Sequence, residues 1–182
     1  MPLLRRHPDS PEAPVDAIDA TVARRPDGGL DVRFTLSGDL SALAIPGPAS
    51  PARRDELWRR TCFEVFLHAP AGRGYLEFNL APSGAWAAYA FAGYRERAAD
   101  PDIDTPAIAV ERQDGALVLD ARLDTPADLP VDQPWRASLT AVIETADGRL
   151  SYWAVAHPPG RPDFHHADGF VVDLPPPTPE AA

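Results

Sequence analysis

Residues 61–94, TCFEVFLHAPAGRGYLEFNLAPSGAWAAYAFAGY, contain three apolar runs separated by two short turn sequences. Upstream of this stretch, apolar residues alternate with polar ones with a period of two, which is typical of a β-strand with one buried face, and the three runs of residues 61–94 carry further strand signals. The alternating apolar residues are Leu30, Val32, Phe34 and Leu36, and the polar ones are Asp31, Arg33 and Thr35. The turn sequences AGRG and PSG are rich in residues that reverse the direction of a chain. This stretch therefore predicts a meander of antiparallel strands.

The lengths of the two turns determine which side chains of the meander share a face. If AGRG closes a four-residue loop, Glu64 lies opposite or diagonal to Asn79, and Glu77 lies two positions along on the same face. A tight connection through PSG would then place Trp86 opposite Asn79. The other face carries only apolar side chains and is the predicted core layer, consisting of Phe63, Val65, Leu67, Leu76, Phe78 and Leu80.

Hairpin signals continue on both sides of this meander. The pairs Asp27-Gly28, Asp114-Gly115 and Asp147-Gly148 each separate two strand-like runs, and Asp-Gly is a strong signal for a two-residue hairpin turn. The 22 prolines and 12 glycines fall mostly between apolar runs. We therefore predict an all-β fold, namely an antiparallel β-sandwich of jelly-roll-like type with about ten strands and few or no helices.

The length of 182 residues fits one domain. We place that domain at residues 15–174. Residues 1–14 and the Pro-rich residues 175–182 have few apolar side chains to bury, so we expect both to be flexible.

Composition argues against several classes of partner. Asp and Glu outnumber Lys and Arg by 27 to 17, and the formal charge of −10 disfavours nucleic acid. No apolar run is long enough for a membrane helix, and the first residues lack the apolar core of a signal peptide, so we expect a cytoplasmic protein. With Cys62 as the single cysteine, the chain has neither an internal disulfide nor a thiol cluster for a metal.

The sequence gives little support for catalysis, and we predict that the chain is not an enzyme. Glu64 and Glu77 could act on a glycosidic bond only with the right separation and with unequal pKa values, which no motif indicates. Ser83 lies outside a G-x-S-x-G elbow. His165 and His166 resemble a metal site only superficially, because adjacent side chains on a strand point opposite ways.

Three stretches together resemble a known family. They are ELWRRTCFEVFL, YLEFNLAPSGAWAAYAFAGYRE and DFHHADGFVVDL, and they are similar to bacterial DOMON-like proteins of the type 9 carbohydrate-binding-module superfamily. The resemblance spans about residues 15–174, and its specific part runs from Trp58 to Tyr94. It implies a β-sandwich with a ligand site on one sheet. Relatives in this superfamily bind sugars between aromatic side chains, bind haem through axial side chains, or bind calcium.

The resemblance implies different residues for each kind of ligand. For a sugar, Trp58, Glu64, Asn79 and Trp86 would supply aromatic planes and hydrogen-bonding groups, with Glu77 and Tyr89 as further candidates. Haem ligation is disfavoured because the only methionine is Met1 and the chain has no lysine, although a bis-histidine pair from His68, His157, His165 and His166 stays open. We predict no cofactor, with calcium as an open possibility at Asp100, Asp102 and Asp104.

We therefore predict a non-catalytic domain that binds a small molecule, namely a sugar or related polyol, with Trp86 as the floor of the pocket and Trp58 as a second wall. The alternatives are a protein-interaction module and, with less support, a haem-binding domain. Trp58 is surrounded in the sequence by four arginines, Arg53, Arg54, Arg59 and Arg60. This pattern indicates either a solvated loop whose charge is balanced by acidic neighbours or a cationic rim that attracts an anionic ligand. The sequence does not define the oligomeric state.

Overall fold

The computed structural model describes residues 2–69 and 74–177. Thirteen strands form two sheets, and ten of the strands are longer than two residues. In chain order they are β1 (Arg5–Arg6), β2 (Val15–Arg24), β3 (Leu30–Gly38), β4 (Ala52–Arg53), β5 (Cys62–His68), β6 (Tyr75–Leu80), β7 (Ala85–Gly93), β8 (Glu96–Arg97), β9 (Ala107–Gln113), β10 (Ala116–Leu123), β11 (Trp135–Glu144), β12 (Leu150–Ala154) and β13 (Val172–Leu174).

The larger sheet has the order β1-β12-β11-β5-β6-β7-β4, with β13 beside β11 and β8 beside β7. The smaller sheet has the order β2-β3-β10-β9. All pairs are antiparallel except the short contact of β4 with β7. The only helical segments in the described residues are three 3₁₀ turns, Leu40–Ala42, Leu57–Arg59 and Ala167–Gly169. The structure confirms the predicted all-β, antiparallel sandwich.

The predicted hairpins are present. β2 pairs with β3, β9 with β10, and β11 with β12, each across its Asp-Gly turn. Gly28 and Gly115 have φ values of 90° and 72°, which an L side chain rarely adopts. The turn chemistry thus selects glycine where the chain reverses. The AGRG loop falls mainly on residues outside those described.

The core lies between the two sheets, where inward side chains of both sheets form one continuous apolar cluster. Phe34 of the smaller sheet stacks on Phe63 of the larger sheet with ring centroids 4.9 Å apart. All six residues predicted for the core layer of the meander, from Phe63 to Leu80, belong to this cluster. The other face of β5, β6 and β7 points away from the sandwich core.

Part of the N-terminal segment contacts the sandwich. Leu4 is buried, and Arg5 and Arg6 pair with Ala154 and Trp153 as the edge strand β1. One buried leucine and a two-residue strand leave no periodic signal in the sequence. The domain bounds at residues 15–174 and the flexibility of residues 1–14 stay predictions. Of the C-terminal tail, residues 178–182 lie outside the described part of the chain. No helix in residues 2–69 and 74–177 is long and apolar enough to cross a membrane.

The register of the meander confirms one predicted pairing and corrects another. Glu64 lies opposite Asn79, as predicted. Trp86 lies opposite Leu80, and Ala87 takes the place opposite Asn79. The predicted pairing leaves only two residues in the second turn, whereas the observed turn also includes Gly84 at φ 89°. A slip of one residue moves a side chain to the other face, so Trp86 enters the core, where it is 4% exposed.

We expect Trp86→Ala to lower the free energy of unfolding by about 3–5 kcal/mol, because it leaves a large cavity between the sheets. Thermal denaturation measures this effect, and Trp58→Ala is the matched control because Trp58 is 36% exposed. An unchanged melting temperature for Trp86→Ala would contradict the core position.

Candidate ligand-binding cavity

A cavity of about 400 Å³ lies on the outer face of the larger sheet. Its size falls within the range of small-molecule sites. Side chains from β5, β6, β7, β8, β11 and β12 meet there with side chains from three segments between strands. The lining residues are Trp58, Glu64, Phe66, Glu77, Tyr89, Phe91, Arg95, Arg97, Val142, Tyr152, Pro162, Phe164 and His165.

Two carboxyl groups on neighbouring strands lie among these lining residues. Glu64 on β5 is 2% exposed, and its Oε2 accepts a hydrogen bond of 3.0 Å from the Thr140 hydroxyl. Its Oε1 is buried and has no hydrogen-bond partner among the described residues. Glu77 on β6 is also buried, and its Oε1 accepts a hydrogen bond of 2.6 Å from the Asn79 amide.

Burial controls the protonation of both carboxyl groups. It raises the pKa of Glu64 well above its ordinary value, and the nearby Glu77 raises it further, while the hydrogen bond from Thr140 acts in the opposite direction. Burial also raises the pKa of Glu77, against the hydrogen bond from Asn79 and the positive charges of Arg97 and Arg95. Burial therefore favours the protonated form of each carboxyl group, and most strongly that of Glu64.

Asn79 supports Glu77 from behind the cavity. Its side chain lies on the same face but is fully buried and does not line the cavity. The amide donates to Glu77, and the amide oxygen lies 3.4 Å from Cys62 Sγ, which acts as donor. This position explains an asparagine in mid-strand, where the residue is otherwise depleted.

Aromatic side chains form one wall of the cavity. Trp58, on the 3₁₀ turn Leu57–Arg59, meets the ring of Tyr89 edge to face at 5.8 Å. The Tyr89 hydroxyl donates to Asp55 at 2.9 Å. Arg97 lies over the Tyr89 ring at 4.1 Å from its centroid. Tyr89 is thus held on both sides and is a rigid part of the wall.

His165 lines the cavity beside Tyr75. The Tyr75 hydroxyl accepts a hydrogen bond from the backbone N–H of Arg95 and forms a second hydrogen bond of 2.7 Å with His165 Nδ1. The other imidazole nitrogen, Nε2, lies 3.9 Å from Glu77 Oε2. Burial, assisted by the charge of Arg95, lowers the pKa of His165 to about 4.

Asp163 fixes the loop that brings His165 over the sheet. Its carboxylate accepts hydrogen bonds from the Tyr94 hydroxyl at 2.6 Å and from the Arg95 guanidinium at 2.8 Å. It also accepts from the backbone N–H of His165 at 3.1 Å. Arg95 itself adopts the left-handed conformation, with φ 55°. These contacts attach the loop to the end of β7 and close one end of the cavity.

The structure thus brings together four of the six predicted site residues: Trp58, Glu64, Glu77 and Tyr89. Asn79 lies behind them, and the prediction of Trp86 as the floor of the pocket is wrong. Phe66 and Phe91 were missed, although each lies two residues from a predicted site residue and so shares its face. Phe164 and His165 come from a loop with no periodic signal.

The basic stretch around Trp58 is largely paired. Arg59 contacts Glu56, Arg60 contacts Glu144, and Arg53 contacts Asp100. These ion pairs favour the solvated-loop interpretation over a cationic rim for these arginines.

The structure holds no cluster of three or more His, Cys, Asp or Glu side chains suited to a metal ion within residues 2–69 and 74–177. In the acidic loop, Asp100 pairs with both Arg53 and Arg97. A neighbouring cavity of about 650 Å³ is lined in part by His68, His165 and His166. The predictions concerning calcium and haem remain predictions.

The fold is that of family 9 carbohydrate-binding modules. One such module from Caldicellulosiruptor kristjanssonii, solved with cellotriose, matches with a TM-score of 0.63 and 10% identity over 100% of this chain and 85% of that one. A second structure of such a module from the same organism, solved with glucose, matches with a TM-score of 0.56 and 11% identity over 83% of this chain and 72% of that one.

A candidate carbohydrate-binding protein from Bacteroides uniformis matches with a TM-score of 0.61 and 15% identity over 92% of this chain and 81% of that one. No protein-family model matches the chain, and no curated protein does. At these identities the likeness establishes the fold.

The raised pKa of Glu64 predicts a pH-dependent cost to stability. Above the ordinary carboxyl pKa of 4.5, the unfolded chain gives up this proton while the folded chain retains it, so the wild type loses stability as the pH rises from there towards the folded-state pKa. We expect Glu64→Gln to melt higher than the wild type at neutral pH, with the difference disappearing below the ordinary carboxyl pKa. Thermal denaturation across this range measures it, and a difference that does not change with pH would contradict the assigned protonation.

Proposed function

We propose that this chain is a non-catalytic carbohydrate-binding domain, which holds a sugar or related polyol in the cavity over Glu64 and Glu77. The observation that carries the proposal is the composition of this cavity: aromatic walls surround buried polar groups on the face of the sheet that points away from the core. A pyranose has apolar C–H faces and a rim of hydroxyls, so it suits such a mixture.

The aromatic side chains would pack against the faces of the sugar ring. Trp58 and Phe91 are both lining residues, and Trp58 retains enough exposure to meet a ligand that enters from solvent. The imidazole Nε2 of His165 and the guanidinium of Arg95 would form hydrogen bonds with sugar hydroxyls. A protonated Glu64 or Glu77 can both donate and accept, as a hydroxyl does.

The likeness in fold to modules solved with glucose and cellotriose supports a sugar as the ligand. We further propose that the chain is a DOMON-like branch of this superfamily, on the strength of the stretch from Trp58 to Tyr94 described above.

Calorimetric titration with glucose and with cellotriose tests the proposal. We expect Trp58→Ala to weaken binding about tenfold through loss of ring packing, while its melting temperature stays close to that of the wild type. Val131→Ala, which removes another exposed apolar side chain beside Gly28, is the matched control and should bind as the wild type does.

Two outcomes would count against the proposal. Sugar binding that Trp58→Ala leaves unchanged would move the site away from this cavity. If no mono- or oligosaccharide in a broad panel binds, carbohydrate binding itself is wrong, and exposed Trp58 would then favour a protein partner.

A further inference from the structure

The buried carboxyl groups of Glu64 and Glu77 each accept a single hydrogen bond from the described residues, which leaves one oxygen of each group without a donor. Thr140 supplies the one hydrogen bond to Glu64, and Asn79 supplies the one to Glu77. Glu64 Oε1 is buried without a partner among the described residues, and Glu77 Oε2 lies 3.9 Å from His165 Nε2, beyond hydrogen-bond distance. A ligand in this cavity therefore meets unused acceptor capacity.

The cations that line the cavity are already engaged elsewhere. Arg95 pairs with Asp163 at 2.8 Å, and Arg97 pairs with Asp100 at 2.9 Å. Glu64 takes part in no ion pair within the described part of the chain. Arg95 and Arg97 still favour the ionised form of Glu77 from a distance, but an ionised Glu64 has to obtain its compensating positive charge chiefly from the ligand.

The aromatic wall is suited to a positive charge as well as to a sugar ring. The faces of aromatic rings carry negative potential and attract ammonium groups. Tyr89 already has the guanidinium of Arg97 over its ring. Trp58, Phe66 and Phe91 line the same cavity. Aromatic faces and buried carboxyl groups together form the surroundings that proteins use to hold an organic amine.

We propose that the sugar bound in this cavity is an amino sugar, whose protonated amine lies against Glu64 and Glu77. This inference rests on the proposed carbohydrate-binding function and adds the chemical class of the ligand. The amine donates to the free oxygen of Glu64 and to Glu77, and its positive charge is neutralised by the carboxylate that it contacts. No covalent bond forms or breaks except the O–H bond of the carboxylic acid, whose proton passes to solvent when the ammonium group enters.

The direction of both pKa shifts agrees with this exchange. Burial favours the protonated form of each carboxyl group, most strongly of Glu64, so a bound ammonium group would take the place of a carboxyl proton. The other titratable or charged groups that face the pair, from the neighbouring strands and loops, are Cys62, Tyr75, Arg95, Arg97 and His165.

Matched pairs of sugars test the proposal. Glucose and glucosamine, galactose and galactosamine, and mannose and mannosamine each differ only by an amine in place of the hydroxyl at one carbon. Titrations at about pH 6.5 keep the amine protonated. We expect at least one amino sugar to bind about tenfold or more tightly than its neutral partner, because hydrogen bonds to charged groups are the stronger ones.

The variant Glu64→Gln tests whether the carboxyl group of Glu64 causes the preference for an amino sugar over its neutral partner. The amide retains an oxygen for Thr140 but cannot ionise, so the ratio of amino-sugar to neutral-sugar affinity should fall to near one. Glu77→Gln should reduce the same ratio, and it provides the test if the first variant does not fold. Glu111→Gln, an exposed glutamate on β9 of the smaller sheet, is the control and should keep the wild-type ratio.

The outcomes separate the two proposals. Equal affinities within every pair, or a preference that both glutamine variants retain, would overturn the amino-sugar proposal and leave carbohydrate binding intact. The absence of binding for all six sugars would overturn the amino-sugar proposal, and carbohydrate binding itself would also be wrong only if no oligosaccharide binds. An amine preference that is lost in the glutamine variants and kept in Glu111→Gln supports both.

Discussion

Successive side chains of a strand face opposite ways, so the register of β5, β6 and β7 decides both what enters the core and what lines the cavity. On one face, Phe63, Phe78 and Leu80 pack against the smaller sheet. On the other face, Glu64 and Glu77 lie beside aromatic side chains. A one-residue change in the first turn would invert β5 relative to β6 and place a carboxyl group in the core, and the same change in the second turn would move Trp86 out of the core.

The cost of that arrangement is the burial of two carboxyl groups on the outer face. An exposed sheet face would leave Glu64 and Glu77 hydrated, but the loop that carries Phe164 and His165 covers them. The carboxylate of Asp163 holds this loop by accepting hydrogen bonds from Tyr94, Arg95 and the backbone of His165. The burial of Glu64 and Glu77, which raises their pKa values, therefore depends on the contacts of Asp163 with Tyr94 and Arg95.

Much of the fold could be predicted from the sequence because the relevant signals are local. Period-two alternation and Asp-Gly turns identify the hairpins β2–β3, β9–β10 and β11–β12. The pairing of Glu64 with Asn79 follows in the same way from the length of the first turn.

The sequence does not predict the positions of Trp86, His165 and Leu4, because the local signal at each is ambiguous or absent. The second turn of the meander can be closed with two residues or three, and that choice decides whether Trp86 faces the core or the cavity. His165 reaches the cavity through tertiary contacts with Tyr75, which no spacing in the sequence encodes. Leu4 is buried by docking on the finished sheet, so its segment carries no period of its own.

The most direct test of the account is an NMR titration of the labelled protein with glucose and with glucosamine, following backbone amide shifts. The account predicts that the shifts change on the outer face of the larger sheet, around Glu64, Glu77 and Tyr89, and in the loop at His165. Changes confined to β2, β3, β9 and β10 of the smaller sheet would contradict it, as would the absence of changes with these two sugars and with the other mono- and oligosaccharides of a broad panel.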